Sequence, residues 1–219
     1  MTRVLVFVMF LLLPVVAQAQ ERMLVIGDSI LAWNRLNGNS IPQILDRMPQ
    51  YQVTSRAFPG AAFSHSGNLR SMLQREIRAQ LPRGQWDVIL LNGGANDLAR
   101  ECDCNRCATT LDRMVSADGA RGEVPAFLDR LRSRAQRVVW MDYYPGSVRG
   151  GPFAACTDEL AEYQTRLSRA AGRRPWVTFV DAGDVYDPRD LSLYSRDLVH
   201  PTPRGGARIA GLIARALAR

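Results

Sequence analysis

The sequence predicts an α/β fold, a three-layer α/β/α sandwich around a five-stranded, mainly parallel sheet. Three observations predict it. Short apolar runs alternate with helical stretches along the chain beyond residue 20. The segments between runs are long enough for crossover connections, which parallel strands require and tight hairpins do not. The third run, "WDVILLNGG", is continuous in Val88, Ile89, Leu90 and Leu91, as expected of a strand buried on both faces.

The elements follow in order. "MLVIGDS" reads as a strand ending at Gly27, and "SIPQILDRM" as a short helix capped by Ser40. "QVTSRAF" is the second strand. "NLRSMLQREIRAQL" is helical, because Leu69, Met72, Leu73 and Ile77 recur at helical spacing. After the third strand, "VPAFLDRLRSRAQ" is a helix and "RVVWMDYY" the fourth strand. "DELAEYQTRLSRAA" is a helix ended by Gly172, and "WVTFVDA" is the fifth strand. "TPRGGARIAGLIARALAR" closes the chain as a helix, with Thr202 as cap and Pro203 at the first helical position.

Residues 1–19 stand apart. Met-Thr-Arg precedes an apolar stretch from Val4 to Val16 and then Ala17-Gln18-Ala19, the charged start, short apolar region and small-x-small site of a secretory signal peptide. The apolar run is shorter than the ~20 residues needed to span hydrocarbon. Export with cleavage before Gln20 is therefore expected, to the periplasm or the exterior, with no stable membrane anchor left. Residues 20–219 then form one domain, since about 200 residues suit one sizeable core better than two.

The formal net charge is +7, and every basic residue is arginine. A basic surface attracts anionic partners. The arginines are spread along the chain without a dense block or interleaved aromatics, so nucleic acid is not expected as a partner. Cys102, Cys104, Cys107 and Cys156 are an even set in an exported chain, which favours two disulfides. The one-residue gap in "CDCNRC" is too short for ordinary structural zinc spacing. Of the three possible pairings, Cys102 with Cys107 and Cys104 with Cys156 is preferred.

Ligands of open parallel sheets bind beyond the carboxyl ends of the strands, and the residues of interest fall there. Ser29 follows the first strand, Pro59-Gly60 the second, and Gly93-Gly94-Ala95-Asn96-Asp97 the third. Gly27-Asp28-Ser29 alone is ordinary turn chemistry. A serine nucleophile needs a base, and the chain has two histidines, His65 and His200. Asp197, three residues before His200, is spaced to reach Nδ1 and leave Nε2 for a hydroxyl. His65, in "FSHSG", has no nearby carboxylate and reads as a loop or cleft-wall residue. Attack on an ester also needs oxyanion donors; Gly60, through its unhindered backbone N–H, and the Asn96 amide are candidates beside the Ser29 N–H.

In order and spacing, Gly27-Asp28-Ser29-Ile30, Gly60, Gly94-Ala95-Asn96-Asp97 and Asp197-Leu198-Val199-His200-Pro201-Thr202 resemble the sequence blocks of the SGNH hydrolases, the GDSL esterase/lipase family. The resemblance spans residues 25–202. It implies a flavodoxin-like sandwich and a cofactor-free serine esterase, with Ser29, Asp197 and His200 as triad and Ser29, Gly60 and Asn96 as oxyanion hole. Asp28 and Asp97 match the motifs as residues that shape their loops. Ile30 departs from the usual leucine, and "LAWNRLNGN" differs from the stretch in the multifunctional thioesterase and lysophospholipase members. The Gly-x-Ser-x-Gly elbow of α/β-hydrolases is absent.

Two substrate classes follow: short-chain or O-acetyl esters, including glycan acetates, and long-chain acyl esters of a lysophospholipase or thioesterase. The second needs an acyl groove, for which Trp33, Phe58, Phe63, Tyr143 and Tyr144 are candidate walls. An acyltransferase and a non-catalytic carbohydrate-binding module on the same fold are the other readings.

Overall fold

The computed structural model describes residues 19–63 and 76–219, and element labels run over these. Five strands, β1 (Glu21–Ile26), β2 (Tyr51–Ser55), β3 (Trp86–Leu91), β4 (Ala135–Met141) and β5 (Val177–Val180), form one sheet in the order β2-β1-β3-β4-β5. All four pairings are parallel. The order reverses between β1 and β3, which opens a crevice at their carboxyl ends.

Side-chain alternation sorts the core onto the two faces of the sheet. Leu24, Ile26, Ile89, Leu91, Val138 and Trp140 point to one face. There they meet α3 (Ala95–Glu101), α4 (Ala108–Met114), α5 (Glu123–Leu131) and α6 (Thr157–Gly172) through residues such as Leu98, Met114, Phe127 and Leu167. Met23, Val25, Val88, Leu90, Val139 and Met141 point to the other. They meet α1 (Ser29–Ala32), α2 (Ile41–Asp46) and α7 (Pro203–Leu217) through Leu31, Leu45, Ile209 and Ile213. The predicted three-layer sandwich and its five-stranded sheet are present.

Local signals act as expected at the helix starts. Ser40 caps α2 in a capping box with Gln43. Thr202 caps α7 with Pro203 behind it. Three short helices were not expected: α1 begins at Ser29 itself, and α3 and α4 occupy what reads as loop between the third strand and "VPAFLDRLRSRAQ". Each is only four to seven residues long, less than a full amphipathic period pattern can reveal. The helix expected over "NLRSMLQREIRAQL" lies mostly outside the described residues; its tail, Ile77–Gln80, is a 3₁₀ turn.

Both disulfides pair as expected, Cys102 with Cys107 and Cys104 with Cys156. The first closes a tight loop after α3 in which Asp103, Cys104 and Arg106 have positive φ. The second ties that loop to the turn preceding α6, so the connections after β3 and β4 are held together over the sheet's carboxyl edge.

Candidate active site

Ser29 is the first residue of α1, immediately beyond β1. Two buried amides fix the turn that presents it. The Gln80 amide grips the Gly27 backbone, accepting from its N–H at 2.7 Å and donating to its carbonyl at 2.9 Å. Across the crevice, the Asn92 Oδ1 accepts from the Asp28 N–H at 3.0 Å while its Nδ2 donates to Asp28 Oδ1 at 2.8 Å. Gly27 has φ +148°, and a Cβ there would lie 2.0 Å from Asn92 Oδ1. Only glycine admits that clamp.

Asp28 caps α1 by accepting from the Ile30 N–H at 3.0 Å and receives the Tyr143 hydroxyl at 2.5 Å. Burial raises the Asp28 pKa, and the bonds from Tyr143, Ile30 and Asn92, with the nearby His200, offset part of that rise. Burial, together with Asp28, pushes the Tyr143 hydroxyl well above its ordinary pKa. That hydroxyl also accepts from the Ala95 N–H at 3.2 Å, linking the β1, β3 and β4 loops.

His200 and Asp197 lie between a 3₁₀ turn at Leu191–Leu193 and α7. Asp197 Oδ2 is 2.6 Å from His200 Nδ1, and its Oδ1 accepts from the backbone N–H groups of Val199 and His200, each at 3.0 Å. Burial would raise the Asp197 pKa, but the bonds from His200 and Val199 outweigh it and hold the carboxylate below its ordinary value. Leu198 takes positive φ to close this turn. The His200 ring stacks on Trp33 with centroids 3.7 Å apart and planes 9° from parallel. Trp33 caps α1, its N–H donating to the Ser29 carbonyl at 2.8 Å. Its indole N–H donates to Ser195 Oγ at 3.1 Å, whose own hydroxyl donates to the Pro201 carbonyl. The helix that begins with Ser29 therefore ends as the platform for the imidazole.

Asn96 stands in the first turn of α3, one amide hydrogen donated to the Ala61 carbonyl at 2.9 Å. Gly60 has φ +70°, and its carbonyl accepts from Arg100 at 2.9 Å. The loop carrying Gly60 is joined to the Ser29 turn by the Phe58 N–H, which donates to the Gly27 carbonyl at 3.0 Å. Asp97 turns inward and accepts from the Phe63 N–H at 2.8 Å, so it shapes its loop, as does Asp28. His65 lies outside the described residues.

Ser29 and Asn96 line a cavity of about 550 Å³. Of the aromatics expected as walls, Tyr143 and Tyr144 line it. Phe63 is instead fully buried and Phe58 packs against the core on the α3 face, while Trp33 faces His200. Phe153 and Tyr194 complete the aromatic wall. Sequence reasoning missed the parts played by Gln80, Asn92 and Tyr143, whose partners are 53, 64 and 115 residues away. Only the position of Asn92 directly after β3 hinted at a role. Among the described residues, no cluster of three or more His, Cys, Asp or Glu could hold a metal ion, and no helix is long and apolar enough to cross a membrane.

The model of the GDSL-like lipase/acylhydrolase family matches residues 25–208. Comparison with curated proteins yields no match. Among solved structures, the chain is similar to a catalytic variant of an acetylxylan esterase from Geobacillus stearothermophilus (17% identity, 92% of this chain and 96% of that one, TM-score 0.62). It is also similar to an alpha/beta hydrolase enzyme from the Lake Arreo metagenome (16% identity, 92% and 97% coverage, TM-score 0.65). At such identities these neighbours speak to the fold. The family match extends from β1 into α7 and takes in both ends of the site, so the chain belongs to the GDSL-like lipase/acylhydrolase family, the SGNH hydrolases.

Proposed function

We propose that the chain is an exported serine esterase acting through an acyl-serine intermediate, with short-chain acyl or O-acetyl esters as substrates. The observation that carries this reading is the Asp197–His200 pair stacked, through Trp33, on the helix whose first residue is Ser29. Ser29 attacks the ester carbonyl as His200 takes its proton. Asp197 fixes the tautomer and stabilises the imidazolium. The oxyanion is held by the N–H groups of Ser29 and Gly60 and by the second hydrogen of the Asn96 amide. His200 then protonates the leaving alcohol, and water activated by the same imidazole releases the acid. Residues 1–19 act as a cleaved signal and residues 20–219 as the enzyme; the two disulfides suit an oxidising compartment.

The acetylxylan esterase among the structural neighbours favours a glycan acetate as one substrate class. The aromatic wall of the cavity favours the second reading, an acyl groove for longer chains. Hydrolysis of p-nitrophenyl esters of increasing chain length separates them: an optimum at about two to four carbons supports the first and an optimum at long chains the second. Ser29→Ala and His200→Ala, folded by circular dichroism, should each lose most of the activity, by up to ~10⁶-fold in kcat where a triad acts as a unit. Folded variants with undiminished activity would reject this triad.

A further inference from the structure

The cavity that Ser29 lines has a second chemical feature in its wall. Strands β4 and β5 pair with Met141 beside Val180, so the next residues, Asp142 and Asp181, leave the sheet edge side by side. The Asp142 N–H donates to the Val180 carbonyl at 2.8 Å and holds that register. Both aspartates line the cavity, together with Gln164 of α6.

Resting on the reading of Ser29 as nucleophile, we propose that Asp142, Asp181 and Gln164 form a subsite for the hydroxyl groups of a saccharide or polyol, so that the enzyme acts on esters whose alcohol portion carries free hydroxyls beside the ester. Asp142 is 2% exposed and lines the cavity, yet no side chain of the described residues hydrogen-bonds its carboxyl. A buried polar group left this way at a cavity wall calls for a partner from outside the protein.

Its neighbours are already oriented. Asp181 accepts from Gln164 Nε2 and from the Gly183 N–H, both at 2.7 Å. This points the amide and leaves the Gln164 carbonyl oxygen as a fixed acceptor. Around them the tyrosine hydroxyls are occupied, Tyr144 on the Val199 carbonyl and Tyr194 on the Pro145 carbonyl, so the walls offer ring surface. Apolar ring surface ending in mixed donors and acceptors suits the two faces of a pyranose. Burial, with Asp181 nearby, pushes Asp142 up to about 8, so at neutral pH it is an acid O–H that donates as well as accepts. A hydroxyl group needs both; a cation would need two ionised carboxylates.

The test compares methyl 6-O-acetylglucopyranoside with cyclohexylmethyl acetate, which offers a ring without hydroxyls, and with acetylcholine. Wild type should prefer the sugar ester in kcat/KM. Asp142→Leu and Gln164→Ala should each cut the ratio of sugar ester to cyclohexylmethyl ester about tenfold, as for a lost substrate hydrogen bond. Asp142→Asn, which still donates and accepts, should retain most of it. A wild-type ratio near unity, or a ratio unmoved in both Asp142→Leu and Gln164→Ala, overturns the proposal. So does a preference for acetylcholine that Asp142→Asn abolishes as fully as Asp142→Leu, which would make this a cation site. Saturation-transfer NMR with methyl glucopyranoside reads binding without turnover. Binding that is lost in Asp142→Leu upholds the subsite even if no ester is hydrolysed, in which case the Ser29 reading alone fails; no binding to wild type and no sugar preference sinks the subsite alone.

Discussion

Replacing Asp142 by asparagine should make the protein more stable at neutral pH. The Asp142 carboxyl is buried, and burial beside Asp181 raises its pKa from the ordinary value of 3.8 to about 8. A group whose folded pKa is raised contributes stability that is fully present below its unfolded pKa and is lost as pH rises through the folded value. Between about pH 4 and pH 8 the unfolded chain has released this proton and the folded chain has not, so stability falls by about 1.4 kcal/mol per pH unit. At pH 7 that amounts to about 4 kcal/mol, three pH units of the slope. Asparagine fills the same space and cannot ionise, so it removes this contribution to the slope. Asp28, also raised by burial, keeps its share in the variant. Denaturant unfolding near pH 4 and near pH 7 should give similar stabilities at the lower pH and a gain of about 4 kcal/mol for Asp142→Asn at the higher. For a domain of this size the melting temperature should then rise by roughly 8–16 °C. Equal pH slopes in the two proteins would show Asp142 ionised in the fold and refute the reasoning.

Three further outcomes follow from the same geometry. Trp33→Ala removes the face on which His200 stacks and should lower kcat by about 100-fold with little change in KM, since a misplacement of about 1 Å costs that much; an unchanged kcat would mean that the Asp197 turn alone holds the imidazole. Gly27→Ala forces a methyl group against Asn92 at φ +148° and should cost about 3 kcal/mol in denaturant unfolding, with activity falling in parallel. A cost below about 1 kcal/mol would show that the clamp is compliant. Opening the Cys104–Cys156 bridge with Cys104→Ser and Cys156→Ser frees a 52-residue separation and should lower stability by about 4 kcal/mol, read as a fall in denaturation midpoint; a shift under about 1 kcal/mol would place the constraint elsewhere.

What the sequence made legible depends on range. The strands were readable because the continuous run at Val88–Leu91 and the alternation that sends Leu24 to one face and Val25 to the other are local patterns. Ser29 and Asn96 stood out because each lies just past an apolar run, where an open sheet gathers its ligands, and His200 because it is one of two histidines and has Asp197 three residues before it. Contacts that close over long sequence separations left no such trace. Gln80 reads as one polar residue at the end of a helix pattern, yet its amide holds the turn that presents Ser29. Trp33 reads as a candidate wall aromatic, yet its partner is His200, 167 positions later in the chain and adjacent only once α1 and the α7 entry meet. Asp142 and Asp181 each look like a strand-ending aspartate. Only the parallel register of β4 and β5 sets them side by side.

The central claim is that Ser29 is a nucleophile activated by His200. Reaction with a fluorophosphonate ester, which captures only an activated hydroxyl, followed by peptide mass mapping, tests it most directly. The account predicts a single adduct on the peptide containing Ser29, formed by the wild-type protein and absent from folded Ser29→Ala, and formed far more slowly by His200→Ala. A wild-type protein that stays unlabelled, or carries its adduct on another residue, would contradict it.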